Sequence, residues 1–183
     1  MVVLIMFYKQ IGLKGLNPRM INQLLKVSED MKKIRSCMQC GECSASCPSG
    51  RFTAMRTRKL VHSALLGVER VLQEPELWMC TTCYRCLERC PRRVPVTDVI
   101  ISLRNIAAQE GFIQESMKNT IKILQKSGHG VPLGDINSVY VKQRVALGLS
   151  PLPPTVHSYP EALEEIQKLF EISKFRDRIS LQW

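Results

Sequence analysis

All eight cysteines of this 183-residue chain lie in two short runs, CMQCGECSASCP at 37–48 and CTTCYRCLERCP at 80–91. Both read C-x2-C-x2-C-x3-C-P, so Cys37, Cys40, Cys43 and Cys47 recur 43 positions later as Cys80, Cys83, Cys86 and Cys90. Thiols this dense can cross-link, hold a soft metal ion, or hold an iron-sulfur cluster. Cysteines so close in sequence bridge poorly, and a reducing compartment would undo the bridges. Structural zinc uses paired C-x2-C elements a dozen or more residues apart, whereas here spacings of two and three crowd one loop.

Three thiolates spaced by two residues along a curled loop can meet three corners of one cubane. The fourth is carried off by the turn before proline and can ligate a second cluster, as this spacing does in two-cluster ferredoxins. The rule predicts two 4Fe-4S clusters. Cluster 1 takes Cys37, Cys40, Cys43 and Cys90, and cluster 2 takes Cys80, Cys83, Cys86 and Cys47. Because the crossing ligands join the two halves, iron binding becomes part of the folding free energy, and the apoprotein is expected to be partly unfolded.

Each run keeps its second cysteine, Cys40 or Cys83, so neither cluster has an open corner for substrate. The chemistry is therefore one-electron transfer, and no catalytic residue is expected. His62, His129 and His157 have no cysteine, carboxylate or histidine at ligand spacing and read as surface or loop residues. No nucleophile motif, P-loop or dinucleotide fingerprint is found.

Helices must position these runs. Asn17-Pro18 reads as a cap and first helical residue, followed by Met20, Ile21, Leu24, Leu25, Met31 and Ile34 at helical spacing up to Ser36. After the first run, Thr53 is the expected cap of a helix burying Phe52, Leu60, Val61, Ala64 and Leu65 and stopping at Gly67. Short helical pieces at ERVLQ and PELWM lead to Cys80. After the second run, Thr97 or Asp98 caps a helix with Val99, Ile100, Leu103, Ile106 and Ala107 inward and Gly111 at its end. The fold class is mostly α, a pseudo-twofold repeat of cysteine run, proline, turn and helix.

Another helix is expected over 113–126, presenting Met117, Ile121 and Leu124. A proline-rich stretch from 132 to 160 has no clean period and reads as an irregular connector. Ser158 with Glu161 then matches a capping box, opening an amphipathic helix through about Arg178. The expected organisation is an N-terminal segment at 1–16, a two-cluster domain at 17–128, and a connector with a partner-docking helix at 129–183.

The apolar start MVVLIMFY lacks a basic flank and a cleavage site, and no apolar run reaches the roughly 20 residues of a membrane helix. A cytoplasmic protein with no membrane span is expected. Lys and Arg number 26 against 16 Asp and Glu, a formal charge of +10. Part of that excess sits beside the runs, at Arg51, Arg56, Arg58 and Lys59 and at Arg85, Arg89, Arg92 and Arg93. Cations there favour the reduced state of anionic clusters and can steer an acidic partner. No nucleic-acid motif accompanies the charge, and aromatics are only 6%, so nucleic acid is not an expected partner.

The segment LWMCTTCYRCLERCPRRVPVTDVIISLRNIAAQEG, with the first run and the helical spacers, resembles the C-subunit family of heterodisulfide reductases from methanogenic archaea. The resemblance covers residues 18 to about 128 and implies an alpha-helical ferredoxin fold. The iron-sulfur subunits of succinate dehydrogenase, glycerol-3-phosphate dehydrogenase and glycolate oxidase share such a module. This chain lacks the plant-type C-x4-C-x2-C domain of the first and the CCG segments of the others. The family implies a complex in which a flavoprotein A subunit bifurcates electrons from a hydrogenase or formate dehydrogenase. The C subunit passes one branch to a catalytic B subunit, which reduces the CoM-S-S-CoB heterodisulfide. An iron-sulfur relay subunit of another anaerobic oxidoreductase, or a free two-cluster ferredoxin, is the alternative.

Overall fold

A computed structural model describes residues 16–130 and 138–175. The apolar N-terminal segment and Arg178 therefore lie outside the described residues. Among the described residues the only strand-like feature is an antiparallel bridge between Leu16 and Val68; all other regular structure is helical. The fold is mostly α, as the periodicity predicts. No described helix is long and apolar enough to cross a membrane. The described residues form two compact units, which meet in sequence at Ala107 and Ala108.

The first unit opens with α1 (Pro18–Val27), capped as expected: the Asn17 side chain accepts from the Arg19 amide at 2.9 Å, with Pro18 at the first helical position. The helix does not run to Ser36. Ser28 is fully extended, and Glu29–Ser36 continues as a 3-10 helix. Ser-Glu-Asp favours a fresh helix start, and a three-residue repeat puts Met31 and Ile34 on one buried edge.

A four-residue helix lies within each cysteine run: α2 (Glu42–Ala45) in the first and α4 (Arg85–Glu88) in the second. Between them lie α3 (Thr57–Leu66) and 3-10 turns at Glu69–Gln73 and Pro75–Met79, matching the expected short pieces. α5 (Val96–Gln109) completes the repeat. Leu60, Val61, Ala64, Leu72, Leu77, Ile100 and Leu103 join Met20 and Leu24 in one continuous core.

Two expectations about α3 fail. Phe52 is 90% exposed, and Thr53 does not cap the helix, because its hydroxyl accepts from the Met55 amide and closes a turn first. Gly67 does end α3 with φ +71, and the Val68 amide reaches back to the Ser63 carbonyl in a Schellman closure. The approach to α1 is tied here, since the Asn17 amide donates to the Gly67 carbonyl at 2.6 Å. α5 begins at Val96, so Thr97 lies inside the helix and does not cap it.

In the second unit, α6 (Glu115–Ser127) ends at Gly128, where a Cβ would lie 2.7 Å from Val156 and 3.2 Å from Ile166. α7 (Val139–Ala146) corrects the irregular connector in part. Three valines in eight residues weaken its helical signal, and only Val141 is buried. Ser138 supplies its cap, accepting from the Val141 amide. α8 (Glu161–Ile172) forms without the expected capping box: the Ser158 hydroxyl donates to the Pro153 carbonyl at 2.6 Å, and Pro160 occupies the cap position.

Candidate metal centres

Each cysteine run is curled by two left-handed residues at matching positions. Gln39 (φ 57) and Gly41 (φ 88) shape the first; Thr82 (φ 53) and Tyr84 (φ 59), each 43 positions on, shape the second. This conformation costs a non-glycine residue about 1–2 kcal/mol, so the loop form must be held by what surrounds it. Tyr84 is anchored by donating its hydroxyl to Asp98 Oδ1 at 2.9 Å.

The curled runs line two cavities. Cys37, Cys40 and Cys43 face the first, where Cys90 joins them from the other run; Val61, Val94 and Val96 supply apolar wall. Cys80, Cys83 and Cys86 face the second together with Cys47, against Met55 and Ile100. Each cavity thus gathers three thiols of one run and the last thiol of the other. The crossing is reinforced outside the thiols, since Ser49, just past Cys47, donates its hydroxyl to the Met79 carbonyl at 2.7 Å, just before Cys80.

Burial within each set is graded. Cys86 is buried, Cys37, Cys43, Cys47, Cys80 and Cys90 are half-buried, and Cys40 and Cys83 are exposed. α2 packs against α4, which brings Cys43 close to Cys86 between the two cavities. Burial, reinforced by Cys86 and Cys37 nearby, pushes the Cys43 thiol up to about 11. Burial also raises Cys86, opposed by the Thr97 hydroxyl 3.2 Å from its sulfur. Thiolates at these two sites therefore require a cationic partner.

Several donors point at sulfur. The Gly50 amide meets Cys47 Sγ at 3.4 Å, the Val94 amide meets Cys90 at 3.3 Å, and the Thr82 amide meets Cys80 at 3.4 Å. Gln39 Nε2 lies 3.3 Å from Cys37 Sγ. Such donors stabilise electron-rich sulfur and belong to the levers that set cluster potentials. Among the described residues no three His, Cys, Asp or Glu side chains are gathered to hold a single metal ion. Four soft donors round each of two apolar, donor-fringed spaces fit cubane iron-sulfur clusters.

The basic residues divide by role. Arg58 lines the first cavity, takes the Ser44 hydroxyl as acceptor for its amide, and reaches the Gln39 carbonyl. Arg56 donates to the carbonyls of Thr53 and Met55, and Lys59 pairs with Glu74 and Glu76. Arg85, Arg89, Arg92 and Arg93 are exposed. His62 is exposed on α3, whereas His129 and His157 meet edge to face with ring centres 5.0 Å apart.

Three residues at the site carry no expectation of that role from the sequence, Thr97 being expected only as a helix cap. Arg104 clamps the approach to Cys80, Thr97 faces Cys86, and Thr57 lines the second cavity with a buried hydroxyl. The only available signal was a polar residue on an otherwise apolar helical stripe.

Fold and site together define a helical dicluster iron-sulfur protein built for electron transfer. Residues 33–94 match the 4Fe-4S dicluster domain family, and the chain carries two 4Fe-4S clusters. It is 42% identical over 178 residues to the iron-sulfur C subunit of the CoB–CoM heterodisulfide reductase of Methanopyrus kandleri, covering 93% of this chain and 91% of that one. Identity to the C subunit of the H(2):CoB-CoM heterodisulfide,ferredoxin reductase of Methanothermobacter thermautotrophicus is 47% over 82% of this chain and 80% of the relative. The C subunit of the ferredoxin:CoB-CoM heterodisulfide reductase of Methanosarcina mazei is 43% identical over 85% and 96%. The chain belongs to the family of heterodisulfide reductase C subunits.

Proposed function

We propose that this chain is the relay subunit of a cytoplasmic heterodisulfide reductase complex, carrying single electrons from a flavin-containing, bifurcating A subunit to a catalytic B subunit. There the CoM-S-S-CoB heterodisulfide of methanogenesis is reduced, and a hydrogenase or formate dehydrogenase feeds the assembly. The relatives' names pair the same subunit with hydrogen in one case and ferredoxin in another, which fits a relay indifferent to the primary donor. The carrying observation is the gathering of three thiols from one run and one from the other at each cavity.

The proposed ligands are Cys37, Cys40, Cys43 and Cys90 for cluster 1, and Cys80, Cys83, Cys86 and Cys47 for cluster 2. Bound there, the clusters supply reversible one-electron chemistry. The protein's own part is to place the thiols, donate backbone N–H groups to sulfur, and exclude water with Val61, Val94, Met55 and Ile100. Cys43 and Cys86 form the short route between the centres, and the exposed Cys40 and Cys83 corners are the ports for exchange with partners. No residue of this chain breaks the heterodisulfide.

The proposed organisation is a two-cluster domain at 17–128, preceded by a short segment at 1–16 and followed by a docking region at 129–183. Leu169 and Ile172 of α8 are 63% and 80% exposed, which supports a partner-facing role. Anoxic affinity isolation from the native host tests the whole reading. Recovery of a large flavoprotein and a second cysteine-rich subunit is expected; recovery of the chain alone with its iron intact means a free carrier.

A further inference from the structure

We infer that the Thr57 side chain is a hydrogen-bond donor to the second cluster and holds its reduction potential up. The inference rests on the ligand assignment above. Thr57 is 1% exposed and lines the cavity that holds Cys47, Cys80, Cys83 and Cys86. Its Oγ1 is buried without a hydrogen-bond partner. Buried hydroxyls are rarely left so, because the lost hydration is not replaced. A helical threonine commonly turns to the carbonyl four residues back, but here Thr53 lies outside the helix and its carbonyl already accepts from Arg56 at 3.2 Å. The sulfur-rich space beside Thr57 is the acceptor that its position offers.

The internal repeat isolates the effect. Thr57 and Val96 are the first residues of α3 and α5, and both face a cavity. Where the second cavity meets Thr57, the first meets the near-isosteric Val96. Thr97 and Arg58, next along these helices, are likewise exchanged, and Thr97 is the hydroxyl 3.2 Å from Cys86 Sγ. Among the described residues no serine or threonine lines the first cavity. Among the described residues one fold thus presents hydroxyls to one centre and none to the other. An O–H donor stabilises the additional negative charge of a reduced cluster more than the oxidised form, which raises the potential.

The test is an anoxic redox titration of the iron-loaded full chain followed by electron paramagnetic resonance. Cys83→Ser marks the wave that belongs to the second cavity. Thr57→Val is expected to move that wave alone to lower potential, by up to about tenfold in the reduction equilibrium, 59 mV for one electron. Thr57→Ser, which keeps the hydroxyl, is expected to leave it near the wild-type value. An unmoved wave in Thr57→Val, or an equal drop in Thr57→Ser, overturns the inference. Should Thr57→Val load iron poorly, Thr57→Ala takes its place with the same two readings. A Cys83→Ser change spread over both waves defeats the ligand assignment itself, leaving a distinct signature from failure at Thr57.

Discussion

Arg104 of α5 donates from Nη2 to the Cys80 carbonyl at 2.6 Å and from Nε to the Leu77 carbonyl at 2.9 Å. Its guanidinium carbon also lies 5.8 Å from the Trp78 ring centre, so one side chain grips Leu77 and Trp78 before the second run and Cys80 at its start. Burial lowers its pKa, yet the group stays charged, and that charge sits beside the second cavity. Replacing it with Gln removes the fork and leaves half-buried carbonyls short of a donor. The iron-loaded chain should lose about 2 kcal/mol of stability, read from anoxic thermal unfolding. Arg104→Lys should restore less than half, since an ammonium cannot span both carbonyls.

The crossed thiol sets predict a specific cross-talk. Cys90→Ser should disturb the cluster held mainly by Cys37, Cys40 and Cys43, while Cys47→Ser should disturb the one held by Cys80, Cys83 and Cys86. Electron paramagnetic resonance of the two reduced variants reads this directly. A change confined in each case to the run carrying the mutation is inconsistent with crossed ligation.

Two glycines with similar positive φ should respond differently to alanine. At Gly41 a Cβ would meet only Arg58 Cδ at 3.8 Å, so the cost is the backbone conformation, about 1 kcal/mol. At Gly67 the same atom would lie 2.9 Å from the Asn17 carbonyl oxygen, and the antiparallel bridge beside it must shift. Gly67→Ala should therefore cost at least twice as much. Denaturation of the iron-loaded variants side by side gives the ranking.

His157 carries a pH dependence in the second unit. Burial, with His129 beside it, lowers its pKa below the ordinary 6.5. The folded form therefore binds fewer protons than the opened form just below 6.5, and stability is lost as pH falls through that range. The group is only half-buried, so the effect is small. The protection factors of α6 and α8 amides, corrected for intrinsic exchange, should fall from pH 7.5 to pH 5.5, and His157→Gln should flatten the change.

The proposed docking role of the C-terminal region is open to truncation. A chain ended after Ser150 keeps every cysteine and should load both clusters, but it should fail to co-isolate with partner subunits. Normal assembly of the shortened chain contradicts that role.

Much of the site was legible because its information is local. Eight cysteines at fixed spacing, a proline after each run, Asn17-Pro18 at a helix start and Gly67 at a helix end act within a few residues, where backbone geometry leaves few choices. What was misread depended on distant neighbours. Phe52 fits the apolar stripe of α3 by period, but the turn closed by Thr53 leaves it in solvent. Ser158 and Glu161 satisfy a capping pattern, yet the Pro153 carbonyl claims the hydroxyl. His129 and His157 are 28 positions apart and reveal nothing in sequence of their meeting.

The sequence by itself determined the thiols, their number and the repetition of two equivalent halves, because cysteine spacing within a loop is a property of the chain alone. Only the tertiary structure decided how the halves differ. Packing α3 and α5 across the repeat put Thr57 and Thr97 against one cavity and Val96 and Arg58 against the other. It also laid Arg104 over the approach to Cys80. The field and hydrogen bonds at a cluster come from residues that approach through space, and no spacing along the chain encodes that approach.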